Sequence, residues 1–196
     1  MTARLVLATH NQGKVVELRE LLGEALEGIE LVGYDGPEPV EDGETFEANA
    51  LIKARAAVAH TGLPALADDS GISADALGGA PGIHSARYAG TRVDRDNYEK
   101  LLRELADTDV RAAHFTCAAA LVLPTGFEHV ELGIWRGSIL REPVGDHGHG
   151  YDPVFQPEGL DVSSAELQLE EKNAISHRAR AFTAIMPVVR ERVLHS

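Results

Sequence analysis

The chain has 196 residues, of which 44% are hydrophobic and 25% are charged, and its formal net charge is −13. This length suits one domain, or one domain with two lobes, that buries a real core. The acidic balance argues against a nucleic-acid polymer as partner, because such polymers are usually bound by a basic face. No apolar run approaches the roughly 18 to 20 residues of a membrane span, and the beginning of the sequence lacks a signal-peptide layout. These patterns predict a cytoplasmic protein that does not use a membrane.

The first half of the sequence alternates between strand and helix patterns. A short buried strand is predicted at 4–9, a helix at 14–26, a second strand at 29–32 and a longer helix at 45–61. Gly62-Leu63-Pro64 ends the longer helix.

The second half adds a helix at 94–106, with Asp94 as its predicted N-cap, and two strand-like runs at 114–123 and 130–140 around a Pro-Thr-Gly turn. Early interleaving of strands and helices, followed by long hairpin strands, predicts a mixed α/β sheet and not a pure Rossmann order.

Three smaller features complete the structural prediction. Ser163 and Glu166 have the spacing of a capping box. Pro187 is expected to kink or divide the last helix, at 177–194. Cys117, the single cysteine, lies in an apolar run and is expected to be a buried core thiol.

The most informative segment is Leu66-Ala67-Asp68-Asp69-Ser70-Gly71, in which two carboxylates follow an apolar run. We expect a strand to end here and to deliver both acids to a loop. Mg²⁺ takes a few carboxylate oxygens and keeps several waters, so paired acids at a strand end suit it. An isolated Asp-Asp pair is more often just a solvated turn. The prediction of a metal site therefore depends on the other motifs of the chain.

A second segment, Thr9-His10-Asn11-Gln12-Gly13-Lys14, stands between a strand and a helix. Free N–H groups at a helix N-terminus bind anions, and a lysine at the same place adds a point charge. The segment is not a Walker A loop, because the spaced glycines and the trailing Ser or Thr are missing. The alternative is a turn with a solvated lysine.

Glu41 belongs to an acidic segment just ahead of the helix predicted at 45–61. Acidic residues there can simply complement the helix dipole. Glu41 precedes the helix itself, so it is the better candidate for a cation site.

Two further segments carry polar groups suited to a nucleotide. Three glycines in the run from 145 to 150 precede Tyr151 and Asp152 and predict a pocket wall with rings that stack on a base. Its His-x-His pair lacks a further His or Cys ligand at zinc spacing. Lys172, His177 and Arg178 suit phosphate or base-edge contacts, with a charged helix entry as the alternative.

Together these segments resemble the non-canonical purine nucleoside triphosphate pyrophosphatases, the inosine/xanthosine triphosphatase family. The resemblance covers nearly the whole chain in the same order. It is carried by the motifs Thr-x-Asn-x-x-Lys, Thr-Phe-x-x-Asn-Ala, Ala-Asp-Asp-Ser-Gly, Leu-Gly-Gly-Ala-Pro-Gly-x-x-Ser-Ala-Arg-Tyr, Gly-Tyr-Asp-Pro-x-Phe and Glu-Lys-Asn-x-x-Ser-His-Arg.

The resemblance implies a single domain over 1–196, with an elongated mixed β-sheet flanked by helices and two lobes with an active-site cleft between them. It implies Mg²⁺-dependent hydrolysis of ITP, dITP and XTP to the monophosphate and pyrophosphate, which cleanses the nucleotide pool. It also implies a homodimer.

The resemblance also implies roles for particular residues. Asp69 is the general base and a metal-side carboxylate, Glu41 is the other metal ligand, and Asp68 and Lys14 support catalysis. The implied substrate contacts are Thr9, His10, Asn11, Gln12, Gly13, Lys14, Ser70, His149, Gly150, Tyr151, Asp152, Lys172, His177 and Arg178. Within this set, base selection is expected in 149–152, His177 and Arg178. Lys53, one turn beyond Asn49, is added from helix spacing alone.

Three positions depart from the family pattern: His149 replaces Phe, Ala48 replaces Glu, and Ala179 replaces Gly. A Maf-like pyrophosphatase acting on dTTP or UTP is the alternative enzyme, against which the Gly-Tyr-Asp-Pro and Ser-His-Arg motifs count. A catalytically weakened nucleotide-binding protein is the alternative from another class. Glu41 and Asp69 disfavour it, while Ala48 and His149 favour it.

Overall fold

The computed structural model describes residues 2–195. The strands are β1 Ala3–Leu7, β2 Ile29–Val32, β3 Ala65–Ala74, β4 Ala112–Val122, β5 Glu128–Ile139 and β6 Phe155–Pro157. The α-helices are α1 Gln12–Leu22, α2 Phe46–Thr61, α3 Asp94–Glu104, α4 Leu169–Ile175 and α5 His177–Leu194. Short 3-10 turns lie at Gly23–Leu26, Asp75–Leu77, Gly82–Arg87, Asp152–Val154 and Ser164–Glu166.

The strands form one mixed sheet in the order β2-β1-β3-β4-β5-β6. β1 runs parallel to both of its neighbours, with Ala3 opposite Ile29 and Val6 opposite Ala65. β6 runs antiparallel to β5, with Ile139 opposite Phe155. Parallel strands need a crossover, which the helical segments supply. The predicted mixed α/β sheet is therefore confirmed.

The chain divides into two compact units. The first unit comprises residues 1–69, 117–133 and 178–196, and the second comprises 70–116 and 134–177. Each unit has its own buried hydrophobic clusters. Strands β3, β4 and β5 each contribute residues to both units.

In the first unit, β4 is buried on both faces. Cys117 and Leu121 join one cluster together with residues of α1 and α5, while Ala118 and Ala120 join another together with alanines of α2. Successive side chains of a strand point to opposite faces, so a continuous apolar run fills both clusters. Cys117 is fully buried, which confirms its predicted core role, and this burial raises the pKa of its thiol.

The core of the second unit is aromatic. The Phe115 ring packs edge-on against Phe155, with 4.7 Å between the ring centroids, and lies 6.3 Å from the Trp135 ring. Leu101 and Leu105 of α3 and the segment after it pack into the same cluster. Helix α3 is thereby attached firmly to the unit that carries the predicted base-binding segment.

Several element boundaries differ from the prediction. The first helix begins at Gln12 and changes to a 3-10 turn after Leu22. The strand carrying the acid pair does not end there: β3 continues to Ala74, because Ile72 and Ala74 are again buried core residues. The prediction of a loop at Asp68-Asp69 was therefore wrong.

The prediction for the start of α3 was wrong, and Pro187 does not divide the last helix. Val93, not Asp94, is the N-cap of α3, and Asp94 is the first helical residue. Pro187 lies inside an α5 that continues from His177 to Leu194. The proline removes one intrahelical bond, but the buried Ile185, Met186 and Val189 keep both halves packed in the core.

Other local predictions are confirmed. Gly62 ends α2 in the left-handed conformation, as expected. The structure adds that Thr45 caps the start of this helix by accepting a hydrogen bond from the Ala48 N–H. Ser163 and Glu166 form the expected capping box. Among residues 2–195, no helix is both long and apolar enough to cross a membrane.

Candidate active site

The two adjacent acids of β3 face different surroundings because strand side chains alternate. Asp68 follows the alternation of Leu66, which packs with residues of α1 and α5. Asp69 follows Ala67, which packs with alanines of α2. The alternation assigns one carboxylate to the α1 and α5 side and the other to the α2 side.

Asp68 is buried among cations. The Arg178 guanidinium donates to its Oδ2 at 3.3 Å, and the Lys14 ammonium lies 3.9 Å from its Oδ1. Burial alone would raise the pKa of Asp68, but Lys14, Arg178 and Lys53 outweigh burial and hold that pKa well below its ordinary value. Asp68 is therefore a permanent anion that orients two cations.

Asp69 has the opposite electrostatic setting. Lys53 Nζ lies 3.7 Å from Asp69 Oδ1 and 2.6 Å from Glu41 Oε1. Burial raises the pKa of Asp69, and the nearby Glu41 and Asp68 raise it further against the opposing effect of Lys53. A carboxylate with a raised pKa accepts a proton more readily, as a general base must.

Lys53 holds its charge firmly. Burial would lower its pKa, but Asp68, Asp69 and Glu41 together raise that pKa above its ordinary value. The structure thus places the residue added from helix spacing in direct contact with both predicted metal ligands.

Asn49 is a functional candidate that the sequence reasoning missed. It is buried in α2, its side-chain oxygen accepts the Gly43 N–H at 2.9 Å, and a hydrogen bond from its side chain lowers the pKa of Asp69. A Cβ at Gly43 would lie 2.7 Å from that oxygen, so only glycine allows this approach. A polar residue on the alanine-rich face of a helix was the available signal.

The donor chemistry of Glu41 and Asp69 fits a hard cation. Both carboxylates approach the same ammonium group, so a positive charge is stabilised there. Within residues 2–195, no group of three or more His, Cys, Asp or Glu side chains forms a metal cage. Mg²⁺ commonly uses only one or two carboxylates and completes its shell with waters and substrate phosphates.

The predicted anion-binding loop is capped by its own side chain. Asn11 Oδ1 accepts the N–H groups of Gly13 at 2.9 Å and Lys14 at 3.3 Å, and Thr9 Oγ accepts the Asn11 N–H at 3.1 Å. An anion would have to compete with Asn11 for two of these amides. The charge of Lys14 is therefore the stronger attraction for a phosphate at this helix.

His10 connects this loop to the segment that leads to Glu41. Its Nδ1 lies 3.0 Å from Glu38 Oε1 and its Nε2 lies 2.6 Å from the Gly36 carbonyl, while its ring stacks on Tyr34. Both neighbours are acceptors, and the hydrogen bond to Glu38 raises the pKa of His10. His10 is thus a loop clamp in this structure.

In the second unit, the predicted base-binding residues converge on Asp152. The Asp152 carboxylate contacts the Lys172 ammonium, accepts the Ser164 hydroxyl at 2.9 Å and accepts the His149 N–H at 3.0 Å. Burial alone would raise the pKa of Asp152, but Lys172 outweighs burial and lowers it. Asp152 is therefore an internal support of the segment.

The rings of the second unit differ in accessibility. Tyr151 is buried, and its hydroxyl donates to the Ser85 carbonyl at 2.7 Å. His177 is buried in a stack with Phe115, with 4.6 Å between the ring centroids. His149 is exposed, so of these rings it is the one most accessible to a ligand.

The structure therefore brings together one cluster of predicted residues in each unit. The first unit joins Lys14, Glu41, Lys53, Asp68, Asp69 and Arg178. The second joins His149, Asp152 and Lys172. Ser70 is partly buried on β3, next to Asp69. Carboxylates and cations on a mixed α/β sheet define a protein suited to a hard cation and to phosphates.

Comparisons with known proteins agree with this class. The model of the Ham1 family matches residues 5–188. A dITP/XTP pyrophosphatase of Leifsonia xyli subsp. xyli is 62% identical over 190 residues, covering 95% of this chain and 96% of the relative. A dITP/XTP pyrophosphatase of Streptomyces avermitilis is 54% identical over 195 residues, covering 96% of this chain and 98% of the relative.

A solved structure shares the fold. The HAM1 protein from Coxiella burnetii superposes with a TM-score of 0.89 at 43% identity, covering 97% of this chain and 100% of that protein. The chain belongs to the Ham1 family, and the resemblance inferred from its motifs is confirmed.

Proposed function

We propose that this protein is a Mg²⁺-dependent pyrophosphatase of non-canonical purine nucleoside triphosphates, which converts ITP, dITP and XTP to the monophosphate and pyrophosphate. The observation that carries the proposal is the first-unit cluster, where Glu41 and Asp69 approach one ammonium beside an Asp68 bound to Arg178. The names of the Leifsonia and Streptomyces relatives support dITP and XTP among these substrates.

In the proposed reaction, Asp69 accepts a proton from the attacking water. The water oxygen bonds to the α-phosphorus, and the bond from that phosphorus to the oxygen bridging to the β-phosphate breaks, releasing pyrophosphate. The raised pKa of Asp69 suits it to hold the proton. The charges of Lys14, Lys53 and Arg178 stabilise the phosphate oxygens, because phosphoryl transfer depends mainly on positioning and charge stabilisation.

Glu41 and Asp69 would hold the Mg²⁺. When bound, the ion supplies charge neutralisation at the phosphates and lowers the pKa of a coordinated water. Asn49 would keep the two ligands in place, since it contacts both Asp69 and the backbone two residues beyond Glu41.

Base recognition is proposed for the second unit. Hypoxanthine and xanthine carry a 6-oxo group and an N1–H where adenine has a 6-amino group and a bare N1. A site that donates to the 6-oxo group leaves buried donors unpaired with adenine, which can give discrimination of about 10⁴-fold. His149, whose ring is exposed, is the proposed stacking residue.

A panel of triphosphates tests the proposal directly. Pyrophosphate release is measured with ITP, dITP, XTP, ATP, GTP, dTTP and UTP, each with and without Mg²⁺. We expect ITP, dITP and XTP to release pyrophosphate when Mg²⁺ is present and not when it is absent. A preference for dTTP or UTP would instead support the Maf-like alternative, and binding without release would support a weakened nucleotide-binding protein.

The metal ligands are tested separately by thermal unfolding. Mg²⁺ that binds the folded state raises the melting temperature by mass action. We expect this rise in the natural chain and a smaller rise in Glu41→Gln, which retains the shape but loses the charge. An equal rise in both proteins would remove Glu41 from the ligand pair.

A homodimer, which rests on the family resemblance, and a cytoplasmic location, which rests on the sequence patterns, complete the proposal. Sedimentation at micromolar concentration checks the dimer, for which a mass of about twice the 21.0 kDa of one chain is expected.

A further inference from the structure

Residues 145–151 form a glycine-rich segment, here called the recognition loop, whose backbone is held by carboxylates. The His149 N–H donates to Asp152 at 3.0 Å, and the Gly150 N–H donates to Asp94 Oδ2 at 2.7 Å. A Cβ at Gly148 would lie 2.2 Å from Asp152 Oδ2. The loop backbone therefore runs directly over Asp152 and reaches Asp94 with the next amide.

The two carboxylates come from different parts of the second unit. Asp152 follows the loop directly in sequence, whereas Asp94 lies 56 residues before Gly150 and begins helix α3. The Asp94 contact consequently ties the loop to a separate element.

Helix α3 provides a rigid base for Asp94. Leu101 of this helix is fully buried in the aromatic core. The buried amide of Asn97 accepts the Ala89 N–H at 2.7 Å and donates to the carbonyls of Ala86 and Thr91. Because α3 is packed into the core, the carboxylate at its start holds the loop at a fixed position relative to the core.

We propose that Asp94 is a positioning residue for base recognition, which fixes the backbone of Gly150 so that the neighbouring His149 ring is presented to the purine. The inference rests on the proposed function, since it assigns the recognition loop to the base. On the other side of Gly150, the Tyr151 hydroxyl is held by the Ser85 carbonyl at 2.7 Å. Asp94 and Tyr151 together restrict the loop from two sides.

A second acid on the same helix separates this role from simple helix stabilisation. Asp94 and Asp96 both lie in the first turn of α3, where acids complement the helix dipole. Asp96 accepts the Thr91 hydroxyl at 2.8 Å instead of an amide of the recognition loop. Asp96→Ala is therefore a matched control, because it removes an equivalent charge from the same helix turn.

The test compares Asp94→Ala, Asp94→Asn and Asp96→Ala. Steady-state kinetics with ITP are combined with inhibition by IMP, which carries the base, and by tripolyphosphate, which does not. Asp94→Ala removes a charge-assisted hydrogen bond at an exposed position. We therefore expect the KM for ITP and the inhibition constant of IMP to rise about five- to tenfold in this variant. The kcat and the inhibition by tripolyphosphate are expected to stay within about twofold of the natural protein.

The two remaining variants sharpen the comparison. Asp94→Asn keeps an acceptor oxygen for the Gly150 N–H. Its loss of binding free energy for IMP is expected to be less than half of the loss in Asp94→Ala. Asp96→Ala is expected to bind IMP like the natural protein. Unchanged IMP inhibition in Asp94→Ala, an equal loss in Asp96→Ala, or an equal weakening of tripolyphosphate would overturn the role of Asp94.

Hydrogen exchange keeps this inference separate from the proposed function. Faster exchange in residues 147–151 of Asp94→Ala is expected whatever the substrate, because the Gly150 N–H loses its acceptor. Unchanged exchange there contradicts the positioning role even if the enzyme hydrolyses ITP. If the natural protein hydrolyses no purine triphosphate and exchange is faster, the proposed function fails while the contact stands.

Discussion

The carboxylate clusters of the two units differ in how tightly their partners are held. Asp68 in the first unit is 8% exposed and Asp152 in the second is 2% exposed. Around Asp152 the contacts are hydrogen bonds of 3.0 Å or less, made by a lysine, a serine and a backbone amide. In the first unit, Asp68 and Asp69 have longer contacts, with Arg178 at 3.3 Å and Lys14 at 3.9 Å from Asp68 and Lys53 at 3.7 Å from Asp69. The Lys53 pair with Glu41 is the short one there, at 2.6 Å.

This difference indicates different roles for the two units. The longer contacts of Asp68 and Asp69 leave their cations available to rearrange around a phosphate or a metal ion. Short bonds that satisfy a buried carboxylate fix the backbone around it. We infer that the first unit supplies the reactive charges and that the second supplies a fixed surface for a neutral base.

The largest expected effect is loss of catalysis in Asp69→Asn. The amide has nearly the same size, so the fold is retained, but it cannot accept the proton. Loss of a general base lowers kcat by about 10³-fold, measured by pyrophosphate release from ITP. An unchanged melting temperature is the control for folding, and release near that of the natural protein would exclude Asp69 as the base.

Asp152→Asn should reduce stability and change its pH dependence. The pKa of Asp152 is lowered from an ordinary value of 3.8, so its stabilising contribution is present above that value and disappears as the pH falls through the lower folded-state pKa. Breaking this buried pair costs about 3 kcal/mol at neutral pH.

Urea unfolding at pH 7 and at several pH values below 4 measures both effects. In Asp152→Asn we expect a lower free energy of unfolding at pH 7 and a shallower decrease on acidification than in the natural chain. Parallel curves for the two proteins would show that Lys172 does not stabilise the ionised Asp152.

Arg178→Ala distinguishes phosphate contact from base reading. The sequence alone suggested base selection, but the contact with Asp68 in the first unit favours the phosphates. Loss of a charged hydrogen bond worth about 2 kcal/mol lowers kcat/KM by about thirtyfold. We expect the same factor for ITP, XTP and ATP, with partial recovery in Arg178→Lys; a selective loss for ITP and XTP would restore the role in base reading.

His149 gives the smallest expected effect and tests the second unit. A base–aromatic stack is worth about 1 to 3 kcal/mol by alanine substitution, so His149→Ala should raise the KM for ITP about tenfold. His149→Phe, which keeps an aromatic ring with a larger apolar face, should preserve or improve the KM. Equal kinetics in all three proteins would mean that the ring only fills a glycine-rich turn.

Much of the architecture followed from local pattern. Helix α2 was predicted to within one residue, because its apolar spacing, its Thr45 cap and its Gly62 stop all agree. The end of β3 was not predicted, because Ser70 and Gly71 read as a turn while sheet pairing and the buried Ile72 keep them in the strand. Tertiary contacts can override the local preference of such short polar segments.

The sequence by itself determined the family, the mixed α/β class and the residue types of the candidate site, because motifs and periodicity are properties of the chain order. Only the tertiary structure decided which acid meets which cation. Asp68 and Asp69 are neighbours in sequence, yet strand alternation turns them towards different helices and gives them opposite pKa shifts. The contacts of Asn49 with Gly43 and of Asp94 with Gly150 likewise depend on folding, since each joins residues whose proximity no local pattern specifies.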